Sequence, residues 1–249
     1  MSSPTGYIAE IFASIQGEGI YAGRPHVFVR FSGCNLSCSY CDTPAARERQ
    51  QSFCSVEKTR GHGDFAYMQN PLAVGDVVEA VELLSPGDDV SITGGEPLLQ
   101  ADFLLRLLPA LRSKGCRVHL ETNGTRPDEV ARLAGQLDVV AMDFKLPSAT
   151  GEQDFFETHA QFLKAAKGAK LFAKAVVTAD VADEEVRRCA EIIAGAGKPV
   201  PLILQPITPR DGGPEPPSLP RLLALHKLAS EVLDDVRVLP QLHKLMGIR

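Results

Sequence analysis

Seven short apolar runs recur along the chain, at residues 26–31, 90–93, 117–121, 137–143, 171–177, 201–205 and 236–239. Between them lie longer segments whose apolar residues fall three and four apart. This alternation constrains the fold more than any other feature. The runs are brief and rich in Val, Ile and Phe, which fits strands covered on both faces. The segments 74–84, 102–112, 128–134, 155–166, 183–194 and 219–233 fit amphipathic helices. Asp183 opens one of them and Gly115 follows another, as helix starts and stops do. Repeated strand–helix units call for a parallel sheet. The expected fold class is α/β, an incomplete parallel (βα)6-type barrel with its active site at the C-terminal ends of the strands. An open doubly wound sheet is the alternative.

The alternation continues on both sides of every irregular stretch, which predicts one domain over residues 1–249. Residues 43–71 form a polar segment rich in Gln, Arg and Gly, with Cys54 and His62, and are expected to be a variable loop. Residues 208–220 are dense in Pro and Gly and read as an extended connection. A net charge of −5 offers no basic field, so no direct nucleic-acid partner is expected. No apolar run approaches the ~18 residues needed to cross a bilayer. Met1-Ser2-Ser3-Pro4-Thr5-Gly6 lacks the basic and apolar regions of a signal peptide. The expected location is the cytoplasm, with no membrane partner.

In such a setting, closely spaced cysteines suggest a metal rather than disulfides. Cys34, Cys38 and Cys41 have the spacing C-x3-C-x2-C. Three thiolates so close can hold three irons of a [4Fe–4S] cluster and leave the fourth open. A structural zinc site normally takes four Cys or His ligands, and here the fourth would come from distant Cys54 or His62. Cys54 itself reads as a stray thiol or a fourth ligand. Cys116 and Cys189 read as small buried hydrophobes. His26, His119, His159 and His226 belong to no pattern and read as structural.

With Tyr40 ahead of its last cysteine, the triad resembles the signature of radical S-adenosylmethionine (SAM) enzymes. Ser91-Ile92-Thr93-Gly94-Gly95-Glu96-Pro97 follows an apolar run and resembles the GGEP motif of that family; glycines let backbone approach a ligand closely. The resemblance implies the partial barrel, a [4Fe–4S] cluster, and SAM chelated at the open iron and cleaved to a 5′-deoxyadenosyl radical. It implies cofactor contacts from Tyr40, Asp42, Gly94, Gly95, Glu96, Glu121, Asn123, Asp143, Lys145 and Gln205. For Glu121 and Asp143 the alternative is capping or turn formation, and for Lys145 a surface ion pair with Asp143.

A narrower resemblance rests on Gln16-Gly17-Glu18-Gly19, Gly23-Arg24-Pro25, the stretch from Arg30 to Gly33-Cys34-Asn35, Cys41-Asp42-Thr43, and the tail Pro240-Gln241-Leu242-His243-Lys244. Together they resemble the 7-carboxy-7-deazaguanine synthase family. That implies conversion of 6-carboxy-5,6,7,8-tetrahydropterin to 7-carboxy-7-deazaguanine with loss of ammonia, on the way to the tRNA nucleosides queuosine and archaeosine. It implies Mg²⁺ at Thr43, and substrate contacts from Ile15, Gln16, Gly17, Glu18, Arg30, Thr93, His243 and Arg249. It also implies an electron donor such as flavodoxin, and a homodimer. Arg30 could instead be a structural ion pair, Thr43 a helix cap and His243 a surface residue. Asp143-Phe144-Lys145 departs from the Ser-Pro-Lys of some members and is closer to the Asp-x-Lys of glycyl-radical activating enzymes. Two other readings stand beside this one: an activase that makes a glycyl radical on a partner protein, and a non-catalytic zinc or iron–sulfur module.

Overall fold

The computed structural model describes residues 4–84 and 89–249. Met1–Ser3 of the segment read for a leader lie outside the described residues. The elements in chain order begin with β1 (Thr5–Gly6), β2 (Ile8–Ile15), β3 (Pro25–Phe31), β4 (Phe53–Glu57), β5 (Phe65–Gln69), β6 (Leu72–Ala73) and α1 (Val74–Leu84). Then follow β7 (Asp89–Gly94), α2 (Ala101–Ser113), β8 (Arg117–Thr122), α3 (Pro127–Arg132), β9 (Val139–Phe144), α4 (Pro147–Thr150) and α5 (Phe156–Ala165). The chain ends with β10 (Lys170–Val177), α6 (Asp183–Ala194), β11 (Leu202–Pro206), α7 (Leu219–Ser230), β12 (Val236–Val238) and α8 (Leu242–Met246).

Ten strands form one sheet in the order β12-β11-β10-β9-β8-β7-β3-β2-β4-β5. From β3 to β12 all seven strands are parallel and neighbours in space follow chain order. These seven are the apolar runs of the sequence. With no reversal of order, right-handed crossovers put every helix on one face. The principal helices accordingly pack in sequence, α1 on α2, α2 on α3, α3 on α5, α5 on α6 and α6 on α7. This is barrel-type winding, and it sets aside the doubly wound alternative. Among the described residues the sheet stays open, with β12 and β5 as its two unpaired ends.

The segment 43–71 is not the irregular loop expected. It holds a hairpin, β4 and β5, paired from Phe53↔Gln69 to Glu57↔Phe65, and β4 joins β2. Exposed and polar positions on this edge hide its alternation, as edge strands often do. Cys54 lies in β4, fully buried, rather than in a polar loop. The antiparallel strand β2 was also not anticipated as a strand; it pairs with β3 from Ile8↔Phe31 to Ile15↔Pro25 with one bulge. Residues 207–218 carry no helix or strand, as expected.

Strand alternation divides the side chains between two faces. Val140, Met142 and Phe144 of β9 join the core beneath the helices, while Ala141 and Asp143 face a cavity on the inner side. Removing a buried side chain such as Phe144 costs about 3–5 kcal/mol. A second, smaller cluster of Val139, Phe172 and Ile203, with Ile20 and Tyr21 against it, forms the floor of that inner face. Gly19, at φ +65°, lets the turn carrying Tyr21 close onto this floor; a Cβ there would meet Phe172 at 2.2 Å.

Near the N-terminal ends of the strands, Asp89 gathers Arg24 at 3.3 Å, Arg117 at 3.1 Å and the buried rings of His26 and His119. His26 Nδ1 lies 2.8 Å from Ser91 Oγ, and its Nε2 lies 3.6 Å from Asp89, too long for a hydrogen bond. Burial, with the neighbouring His119, pushes His26 down to about 3; burial also lowers His119. Both rings are neutral when folded and gain protons on unfolding at about pH 6.5. Their contribution is therefore intact above that pH and is lost as pH falls from there toward the folded values. Calorimetry should show the melting temperature dropping between pH 7 and pH 5, and His26→Asn should show a shallower drop. Equal slopes for the two proteins would refute the assignment.

Candidate active site

The C-terminal ends of the parallel strands open into a cavity of about 550 Å³. Every site residue expected from the sequence lines it except Glu96.

The cysteine loop leaves β3 through Gly33, at φ +99°. Leu36 N donates to Cys34 Sγ at 3.4 Å, and a turn closes from Cys41 N to Cys38 O at 3.1 Å. Short helix α4 holds the loop from below: Ser39 N donates to Thr150 O at 2.9 Å, and Ser39 Oγ to Ala149 O at 2.9 Å. The GGEP segment locks against the same loop, with Glu96 N donating to Gly33 O at 2.8 Å. Only glycine permits this approach. A Cβ on Gly95 would sit 2.2 Å from Gly33 O, and one on Gly94, at φ +137°, 2.2 Å from Phe31 O. The Glu96 carboxylate turns away from the cavity and accepts from Leu98 N, Thr122 Oγ1 and Asn123 N at 2.8–3.0 Å. It braces the end of β8, and burial pushes its carboxyl up to about 7.

Three half-buried thiols thus face one cavity. Burial raises Cys34 and lifts Cys38 to about 11, while the Lys145 ammonium works in the opposite direction on both. Thiols in this setting are suited to deprotonation by metal coordination. Cys54 does not line the cavity.

The inner face carries a dense charged network. Lys174 of β10 pairs with Glu18 and lies 3.4 Å from Asp143, which pairs with Lys145 at 3.0 Å. Lys145 also lies over the Tyr40 ring, 5.4 Å from its centroid. Burial alone would raise Glu18, but Lys174 and a bond from Gln241 at 2.7 Å hold it below the usual carboxylate range. Burial likewise works against Lys174 and Lys145, and the surrounding carboxylates overcome it in both. Lys145 is therefore not a surface ion pair. Glu121 is neither cap nor turn residue: it accepts from Gln16 Nε2 and Thr93 Oγ1, both at 2.8 Å. Two buried oxygens in this network, Asp143 Oδ1 and Gln205 Oε1, have no hydrogen-bond partner among the described residues.

On the opposite wall, Arg30 Nε donates to Glu10 Oε1 at 2.6 Å, and Arg249 Nη1 donates to Glu10 Oε2 at 2.9 Å. The two terminal nitrogens of Arg30 make no hydrogen bond among the described residues, and its guanidinium lies over the Phe12 ring, 5.6 Å from the centroid. Phe12 and Phe28 stack beside them, centroids 5.2 Å apart. The Gln16 amide is already engaged with Glu121, Ser91 and Glu18 N. Gly17 leaves room for His243, whose Nδ1 would be 2.1 Å from a Cβ there. Thr43 precedes a short turn of helix but makes no side-chain capping bond. Lys174, Glu10 and Arg210 line the cavity and were not anticipated. Lys174 had a visible signal, a lone charge inside the apolar run 171–177.

Residues 28–200 match the profile of the Radical SAM superfamily. The 7-carboxy-7-deazaguanine synthase of Geobacter sulfurreducens is 42% identical over 99% of both chains. The chain belongs to the 7-carboxy-7-deazaguanine synthase family. The synthase of Methanopyrus kandleri is 38% identical, covering 96% of this chain and 92% of that one. The fold resembles that of QueE from Escherichia coli, with a TM-score of 0.63, 21% identity, and 96% and 95% of the two chains covered. As a radical SAM enzyme, this family member uses a [4Fe–4S] cluster and SAM. The residues fit that pair: three thiols line the cavity, and beside them Gln205 Oε1 is buried without a hydrogen-bond partner among the described residues, while Asp143 Oδ1 meets only the Lys174 ammonium, at 3.4 Å. Family membership sets aside the activase and zinc-module readings. Among the described residues, no helix is long and apolar enough to cross a membrane.

Replacing Cys34, Cys38 or Cys41 by Ala should leave anaerobically reconstituted protein short of four irons and unable to release 5′-deoxyadenosine. Cys54→Ala should retain both properties. Iron and sulfide analysis with deoxyadenosine quantitation decides it; equal iron loss from Cys54→Ala would overturn the three-ligand assignment.

Proposed function

We propose that the protein converts 6-carboxy-5,6,7,8-tetrahydropterin to 7-carboxy-7-deazaguanine with release of ammonia, feeding 7-deazapurine (queuosine/archaeosine) synthesis. One observation carries the reading. A single cavity holds the thiol triad together with Glu18, held ionised by Lys174, and Arg30, whose terminal nitrogens make no hydrogen bond among the described residues. Full-length relatives that bear the synthase name support the same substrate.

Bound together, the cluster and SAM supply a one-electron cleavage that creates a reactive carbon radical. The chain's own residues do the positioning. A pterin presents a ring N–H and an amino group side by side, and the Glu18 carboxylate suits that paired donor edge. The open Arg30 fork suits the substrate carboxylate, with Glu10 holding its Nε so that the fork faces the cavity. Phe12 and Phe28 offer an apolar wall for the ring. Gln16 supports this arrangement by fixing Glu121 and the Glu18 backbone. Holding the reacting carbons in a near-attack geometry lowers the barrier without new chemistry. His243, Thr93, Ile15, Gly17 and Arg249 complete the substrate wall, and Tyr40, Asp42, Gly94, Gly95, Asn123 and Lys145 the SAM side.

Thr43 is proposed as the Mg²⁺ ligand. Thr43 lines the cavity and its hydroxyl makes no capping bond, and Mg²⁺ takes hard oxygen donors with waters and substrate oxygens completing its shell. A homodimer and a flavodoxin-type reductant belong to the same proposal on the family resemblance, and a single domain and a cytoplasmic location on the unbroken strand–helix alternation and the character of the chain's sequence.

Three measurements test it. Anaerobically reconstituted enzyme given SAM, a reductant and the carboxypterin should form the deazapurine chromophore; SAM cleavage without that product would overturn the substrate. Arg30→Ala should raise KM for the pterin about 30-fold or more, the loss of roughly 2 kcal/mol or more expected for a truncated charge-assisted pair, with SAM affinity kept. Thr43→Ala should flatten the dependence of product formation on Mg²⁺ and Thr43→Ser should restore it. An unchanged Mg²⁺ curve in the Ala variant would move the ion elsewhere.

A further inference from the structure

The connection between β11 and α7 reaches back across the cavity mouth. Thr208 Oγ1 donates to Gln241 Oε1 at 2.6 Å, and the chain then turns at Arg210-Asp211-Gly212-Gly213. Gly213 N donates to Arg210 O at 3.0 Å, and Gly212 sits at φ +68°. This turn presents Arg210 to the cysteine loop. Arg210 Nη1 donates to Cys41 O at 2.7 Å, and Nη2 donates to Ser39 O at 3.1 Å. Both carbonyls belong to the Cys38–Cys41 turn that carries the last thiol. The side chain is exposed, and no carboxylate pairs with it among the described residues. Lys145 supplies positive charge near Cys34 and Cys38; Arg210 is the cation fastened beside Cys41.

We propose that Arg210 is a positioning residue for the iron–sulfur cluster, its fork fixing the backbone of residues 39–41 and its charge favouring the reduced cluster. An exposed guanidinium has water as an alternative partner for every donor. Directing both terminal nitrogens onto one turn gives up rotamer freedom for a two-point hold that lysine, a point charge on a flexible stem, cannot reproduce. Reduction adds one negative charge to a centre already ligated by three thiolates. A fixed cation nearby offsets that charge, and cluster potentials respond to local charge, hydrogen bonding and exposure. Groups that hold ligands rather than bind metal have measurable effects on both affinity and tuning.

The fork and the charge separate experimentally. Arg210→Lys keeps the charge and loses the fork; Arg210→Gln loses both. Amide hydrogen exchange at residues 39–42 of the cluster-free protein should quicken at least tenfold in both variants. The midpoint potential of the reconstituted cluster, followed by electron paramagnetic resonance during a dye-mediated titration, should become more negative in Arg210→Gln and stay near wild type in Arg210→Lys. The exposed position leaves the core untouched, so exchange is readable even where a variant assembles less cluster. Unchanged exchange in both variants would overturn the positioning role, and a wild-type potential in Arg210→Gln would overturn the electrostatic one.

Discussion

An ammonium group inside a sheet is tolerated only when carboxylates meet it, because an unpaired buried charge costs several kcal/mol. Lys174 stands at that point, and much of the site is arranged around it. Glu18 and Asp143 face it, Gln205 and Gln241 hold Glu18, and Lys145 holds Asp143. One cation thereby couples β9, β10 and β11 to the turn after β2 and to the tail before α8. Without it, Glu18, Asp143 and Glu121 would crowd one part of the cavity with too little positive charge. Glu121 already feels this, its carboxyl raised by burial and by Glu18.

Much of the fold was legible from periodicity. All seven parallel strands stood out because each reads as an apolar run, six of them mostly buried and the end strand β12 only partly. The longer strands that escaped notice sit at the mixed end of the large sheet, and the two-residue β1 and β6 pair with each other apart from it. β2 carries Glu10 and Ser14 among its apolar residues, and β4 and β5 expose Phe53 and Tyr67 to solvent. An edge strand owes its place to its neighbours, and the neighbours are not visible in its own residues.

The site was legible where chemistry demands a fixed spacing or a backbone without side chains. The cysteine triad and Gly94-Gly95 are of that kind. What local pattern could not show is which polar groups remain open once the chain has folded. Gln16 carries a good recognition side chain, yet folding engages it with Glu121 and Ser91. Arg30, expected to meet the substrate with a structural ion pair as the alternative, does make an ion pair, through Nε to Glu10, and also lines the cavity. Arg210 lay in a Pro- and Gly-rich connection without periodicity, where only tertiary contact reveals a purpose.

The cluster of Val139, Phe172 and Ile203 ties the shape of the cavity to a residue outside it. Phe172 belongs both to this cluster and to the cavity lining, and Gly19 is what lets the turn carrying Tyr21 come down beside that ring. A side chain at position 19 would have to push Phe172 aside, so a substitution that touches no polar group of the site would still redraw the wall against which ligands pack.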